Sequence, residues 1–147
     1  MAPQRTDTID ELRLALREFL AAQRRLRGRE AQRQGVLSFS QHAVLRVLAD
    51  GDEHSAGELA AAADLTPASI TKMLDGLSRA GLLERVRDES DRRRVGVRIT
   101  DAGRREFAAK EERIRAAWEA ELDGAADEDL EAMLLALRRM AALFDAF

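Results

Sequence analysis

Between Thr66 and Arg94 the sequence places hydroxyl and cationic side chains in an order suited to gripping a polyanion. Thr66, Ser69, Thr71, Lys72 and Arg79 come first, then Arg92, Arg93 and Arg94 in succession. Hydroxyl and guanidinium groups donate hydrogen bonds to phosphate oxygens, whereas a side chain reaching into a groove reads base edges. No nucleophile–base arrangement and no Gly-rich phosphate loop accompanies them, so the pattern points away from an enzyme.

Other chemistry is sparse. His42 and His54 are the only histidines, and a zinc site built on them would need carboxylates as further ligands. Packed or solvated histidines are the expected reading, with no metal and no cofactor. Acidic neighbours such as Glu111-Glu112 and Asp127-Glu128-Asp129 lie on amphipathic helical patterns, where they serve as solvated faces and caps. The absence of cysteine excludes disulfides, thiolate metal sites and thiol redox switching.

The elements that must position the polyanion-binding side chains lie between Ser55 and Gly103. Ser55 with Glu58 forms a capping box at a helix start, and Thr66-Pro67 marks a second start. In the second helix Ile70, Met73, Leu74 and Leu77 form an apolar stripe. Ala68, Lys72, Asp75 and Arg79 fall on the opposite, polar side, and Gly81 ends the helix. Leu82–Arg87 and Val95–Thr100 read as a hairpin, with Val95, Val97 and Ile99 alternating against Gly96 and Arg98. The loop between them, from Asp88 to Arg94, has no apolar residue. A helix suits the major groove, and a basic hairpin tip suits the minor groove or the backbone.

Through these residues the chain resembles the MarR family of winged helix-turn-helix transcription regulators. The carrying motifs are Leu65-Thr66-Pro67-Ala68-Ser69-Ile70-Thr71-Lys72-Met73-Leu74-Asp75, Gly81-Leu82-Leu83-Glu84-Arg85, Asp91-Arg92-Arg93 and Ile99-Thr100-Asp101-Ala102-Gly103. The flanking helices fit as well. The resemblance implies a DNA-binding regulator in which Thr66, Pro67, Ser69, Thr71, Lys72, Arg79, Arg92, Arg93 and Arg94 face DNA. It also implies that Asp91 orients a wing arginine. The family often has a basic residue where this chain has Gly76, so either a phosphate or wing contact is missing or the helix passes close to a neighbour.

Bulk properties are compatible with that reading. The 147 residues are 46% hydrophobic and 35% charged, enough for a real core in one domain. The net charge is −3, yet residues 66–100 carry eight basic and five acidic side chains, net +3, leaving −6 elsewhere. Screening confines fields to about 8–10 Å at physiological salt, so local sign governs docking to phosphate. Met1–Glu11 has no apolar leader core, and no later run is long enough to span a bilayer. A cytoplasmic protein is expected.

The flanks read as helices. Thr8 to about Arg33 carries Ile9, Leu12, Leu16, Phe19, Gln23 and Leu26 on one stripe, extended by Leu14 and Ala21, with Arg24, Arg25, Arg27, Arg29 and Arg33 towards its end. Those arginines complement the helix macrodipole and solvate the helix. A helix capped by Ser38 or Ser40 runs to about Asp50. Helices follow over Arg104–Leu122 and, capped by Asp127, over Glu128–Phe147, the last striped by Leu130, Met133, Leu134, Leu137, Ala141 and Phe144. Periodicity alone does not separate packing of the two ends within one chain from a shared layer between two chains. The resemblance implies the second, a homodimer.

The fold expected is therefore mainly α with a small β-hairpin wing, one MarR-like domain over 1–147. Within it 36–103 form the winged helix-turn-helix lobe, and 8–34 with 104–147 form the dimerisation helices. The function expected is a dimeric, ligand-responsive repressor on a pseudo-palindromic double-stranded DNA site. A small aromatic effector would bind at the junction of lobe and layer, where Phe39 and His42 either line a pocket or belong to the core. The rival readings are a winged-helix protein-interaction module without DNA, against which Lys72, Arg79 and the arginine tip argue, and a metal-dependent sensor of the same fold.

Overall fold

The structure, a computed structural model, describes residues 5–32, 37–87 and 95–146. Its elements run α1 (Arg5–Gln32), α2 (Phe39–Leu48), β1 (His54–Ser55), α3 (Ala56–Ala62), α4 (Pro67–Arg79), β2 (Leu83–Arg87), β3 (Val95–Ile99), α5 (Asp101–Glu121) and α6 (Asp127–Asp145). The chain divides into two compact units, Met1–Lys110 and Glu111–Phe147.

Local signals set most boundaries. Ser38, rather than Ser40, caps α2 through a full capping box with Gln41. Ser55 and Glu58 form the same device at α3. Between α3 and α4 the chain turns through Asp64, whose φ of 51° is left-handed, a region Asp enters more readily than most side chains. Thr66 then caps α4 and Pro67 takes its first position. Gly81, at φ 74°, turns the chain from α4 into β2.

Several boundaries differ from the sequence pattern: β2 begins at Leu83 rather than Leu82, and β3 ends at Ile99 rather than Thr100. The helix α1 begins at Arg5, and α5 begins at Asp101, where Thr100 Oγ1 accepts from Gly103 N at 3.1 Å. At α6 the N-cap is Ala126, with no side-chain cap bond, and Asp127 is the first helical residue. Asp127, Glu128 and Asp129 then stabilise the helix as charges in its first turn rather than as a cap.

The hairpin is part of a three-stranded antiparallel sheet in the order β1-β3-β2. Leu83 pairs with Ile99, Arg85 with Val97 and Arg87 with Val95, while His54 pairs with Val97 on the other side. One core gathers Leu37, Val44, Leu45, Leu48, Leu59, Ala60, Ile70, Leu74, Leu77, Leu83, Val97 and Ile99. It therefore joins α2, α3, α4 and the hairpin base into one lobe. Gly103 seats the start of α5 against this lobe: a Cβ there would lie 2.2 Å from the Leu82 carbonyl oxygen and 2.8 Å from Ile99 Cγ1. No side chain other than hydrogen fits at that approach.

The flanking helices are different. Neither α1 nor α6 has a buried residue among those described. No helix among the described residues is long and apolar enough to cross a membrane.

Candidate nucleic-acid interface

Helix α4 presents its polar face because its apolar face is already occupied. Ile70, Leu74 and Leu77 are buried in the core, and Met73 packs against it. Pro67, Ala68, Ser69, Thr71, Lys72, Asp75 and Arg79 are left exposed. The packing of the lobe thus decides which side chains remain for a partner.

At the helix start Thr66 Oγ1 accepts from Ser69 N at 3.2 Å and donates to Ser69 Oγ at 2.9 Å. The two hydroxyls hold each other beside the helix N-terminus, whose backbone N–H groups favour an anion. Thr71 donates to the Pro67 carbonyl at 2.9 Å, which leaves its hydroxyl lone pairs and methyl group facing outwards. Lys72 is exposed and makes no hydrogen bond or ion pair among the described residues. Arg79 Nε donates to the Asp75 carbonyl at 3.3 Å.

The basic count over residues 66–100 overstates the freely available charge. Arg85 is paired with Asp75, and Arg98 with Glu53. Neither pairing is suggested by sequence spacing, since Glu53 and Arg98 are 45 residues apart. The four wing residues Asp91, Arg92, Arg93 and Arg94 lie outside the described residues. The strands that carry them, β2 and β3, are described and lie on the lobe.

Phe39 and His42 are on the first turn of α2 but in different environments. His42 is 2% exposed and stacks on Phe107, ring centroids 4.9 Å apart. Phe39 is 40% exposed and lies under Lys110 Nζ, 4.4 Å from the ring centre. Glu30 joins three elements there: it accepts from Phe39 N at 3.0 Å and pairs with Lys110 at 3.2 Å. The sequence reading did not find this pair, and with 80 residues between the partners it offers no local signal.

A cavity of about 280 Å³ opens nearby, lined by Leu37, Gln41, Gly76, Leu77, Ala80, Leu82 and Glu106. Neither Phe39 nor His42 is in that lining. Gly76 is: a Cβ there would meet nothing within 4 Å. The missing side chain leaves space, so no close neighbour accounts for the glycine. Among the described residues no group of three or more His, Asp or Glu side chains could hold a metal ion.

The MarR family model matches residues 37–95, the lobe up to the start of β3. A curated relative, the HTH-type transcriptional repressor YetL of Bacillus subtilis, is 36% identical over 70 residues. That match spans 46% of this chain and 42% of the relative's length. A MarR family protein from Bacillus stearothermophilus is similar over 97% of this chain and 99% of its own, with a TM-score of 0.73 and 26% identity. Streptococcus pneumoniae FabT, solved in complex with DNA, shares the fold over 90% of this chain and 97% of its own, with a TM-score of 0.72 and 23% identity.

Proposed function

We propose, for a chain that belongs to the MarR family of transcription regulators, that it is a dimeric, ligand-responsive repressor of a pseudo-palindromic DNA site. The observation that carries this reading is the exposed polar face of α4, offered by a lobe whose core is complete without it. Thr66, Ser69 and the helix N-terminus take phosphate. Thr71 and Lys72 probe base edges in the major groove, with Pro67 packed between the two sets of contacts. Arg79 takes phosphate at the far end of α4. Arg93 enters the minor groove or holds the backbone, flanked by Arg92 and Arg94 and oriented by Asp91.

The partner that completes the molecule is a second copy of the chain. Residues 8–34 and 104–147 supply the shared layer and 36–103 the reader. Support comes from the apolar side chains left exposed on α1 and α6. The effector is a small aromatic acid or phenol, a reading supported by the cavity of about 280 Å³ beside Gly76. Such a ligand acts through its differential affinity for two lobe arrangements. The protein works in the cytoplasm, with no metal and no cofactor.

Selection of bound duplexes from a random DNA pool tests the reading. Enrichment of an inverted repeat, bound by two chains, is the expected result. Absence of any enriched sequence would remove the repressor assignment, and enrichment of a single half-site bound by one chain would remove the dimer.

A further inference from the structure

Asp75 is an acid on the face that the repressor reading turns towards DNA. It is exposed with Ala68, Lys72 and Arg79 on the polar side of α4. A carboxylate there repels phosphate, and its charge is met by one partner, Arg85 of β2. The two side chains are each about half exposed, 50% and 51%. Exposed pairs of this kind contribute little to folding stability. A stability role therefore does not account for the pair.

The position of Arg85 is informative. Side chains alternate along a strand, so Arg85 shares a face with Leu83. Leu83 is buried, and the residues opposite the two, Ile99 and Val97, are buried too. Arg85 thus starts from a core-facing register position, and its guanidinium emerges at the lobe edge on Asp75. The long stem covers apolar surface while the head group is fixed.

Besides the apolar core they share, the hairpin and α4 are joined by polar ties at two places among the described residues. The near one is the turn: Leu82 N donates to the Leu77 carbonyl at 3.0 Å, and Thr100 Oγ1 donates to the Gly81 carbonyl at 2.7 Å. The far one is Asp75–Arg85. The shared core seats the hairpin base on α4, and the Asp75–Arg85 pair adds a directional tie between α4 and β2. With both, the angle between recognition helix and hairpin is set before DNA arrives.

We infer that Asp75 is a positioning residue for DNA binding: by holding Arg85 it fixes the hairpin against α4, and so strengthens binding despite its charge. The inference rests on the DNA-binding reading above. It differs from simple electrostatics in sign. If charge alone mattered, removing an acid from this face would tighten binding to phosphate.

The test uses the full chain and the inverted-repeat duplex enriched from the random pool. Binding and thermal midpoint are measured for Asp75→Ala, Arg85→Ala, the double variant, and the exchange Asp75→Arg with Arg85→Asp. The expected result is weaker binding by Asp75→Ala, by about tenfold, the equivalent of about 1.4 kcal/mol. Arg85→Ala should lose a similar factor, the double variant no more than either, and the exchange should recover part of the loss. Midpoints should stay close to that of the parent. Should Asp75→Ala lower the midpoint, Asp75→Asn, which keeps the shape and removes the charge, is measured in its place. Tighter or unchanged binding by the Asp75 variants would overturn the inference, as would losses that multiply in the double variant. A parent protein that enriches no duplex would instead overturn the repressor reading itself.

Discussion

The lobe of α2, α3, α4 and the sheet hides its apolar residues, and helix α6 shows them. In the lobe Val44, Leu45, Leu48 and Leu59 have no exposed surface. In α6 Leu134, Leu137 and Phe144 are 49%, 51% and 53% exposed, and no residue is buried. The two regions have similar apolar spacing, so the difference is one of partners rather than pattern. The lobe brings α2, α3, α4 and a sheet onto one centre. The helix α6 finds no such set within its own unit. Each large side chain taken fully out of water contributes about 1.5–3 kcal/mol, a strong drive towards an acceptor. The contrast teaches that the lobe has a core of its own, whereas the apolar stripe of α6 has none within its unit, as expected of half of the proposed dimer layer.

The sharpest way to break this comparison is to delete residues 127–147. The truncated protein should keep a folded lobe, sediment as a monomer and lose tight binding to the inverted repeat. Two recognition helices about 34 Å apart engage successive turns of the duplex, and a monomer reaches one half-site alone. A truncated chain that sediments as a folded dimer would show that the exposed stripe of α6 is not the principal contact.

Paired core substitutions come next. Leu45→Ala removes a fully buried side chain of the lobe and should cost about 2–5 kcal/mol, independent of protein concentration. Leu137→Ala should leave the fold of the lobe alone and make dimerisation weaker, so its effect on the thermal midpoint should depend on concentration. Equal, concentration-independent losses from both would erase the distinction between the regions.

How much of this was legible in the sequence depends on range. Ser38, Ser55, Thr66 and Gly81 mark their boundaries because capping and turning involve only neighbouring residues. The apolar stripe of α4 was legible for the same reason. Strand β1 was not, since two residues carry no period and their partners on β3, Val97 for His54 and Gly96 for Ser55, are far along the chain. Asp127 resembled a cap, but its neighbour Ala126 adopts the cap conformation, and no local rule separated the two. The ion pairs Glu30–Lys110, Glu53–Arg98 and Asp75–Arg85 depend on tertiary packing, which spacing does not encode. The recognition-helix residues were found from composition and family motifs. The polar side with Lys72 and Arg79 was legible from the same spacing as the stripe, and the packing added the exposure of Pro67, Ser69 and Thr71. The assignments of Asp91 and of Arg92–Arg94 rest on sequence alone.

Arg93→Ala sharpens the comparison from the functional side. It should weaken operator binding while leaving the thermal midpoint unchanged, because the sequence from Asp88 to Arg94 has no apolar residue to contribute to a core. If the side chain holds phosphate, the loss should be similar on all sequences, and the salt slope should fall by about one unit for each subunit. If it enters the minor groove, narrow A·T segments should show the greatest loss. Unchanged affinity at several salt concentrations would remove the wing from the interface.

The smallest expected effect is at Gly76, where stability and ligand response separate. Glycine inside a helix costs about 1 kcal/mol relative to alanine. A Cβ at this position would meet nothing within 4 Å, so Gly76→Ala should recover most of that amount. For a chain of this size the thermal midpoint should rise by about 2–6 °C. DNA affinity should stay the same, because the site lines the cavity with Leu77 and Ala80 rather than the polar face with Lys72. A larger residue tests the cavity itself. Gly76→Leu should fill part of the space and reduce the response of DNA binding to any small phenol or aromatic acid that releases the parent protein. The response is measured as the ratio of operator affinity with and without the compound, and reciprocity requires DNA to weaken the compound's binding by the same factor. A Gly76→Leu protein with an undiminished ratio would place the effector elsewhere, and a lower midpoint for Gly76→Ala would show that the glycine is required by the backbone at this turn of α4.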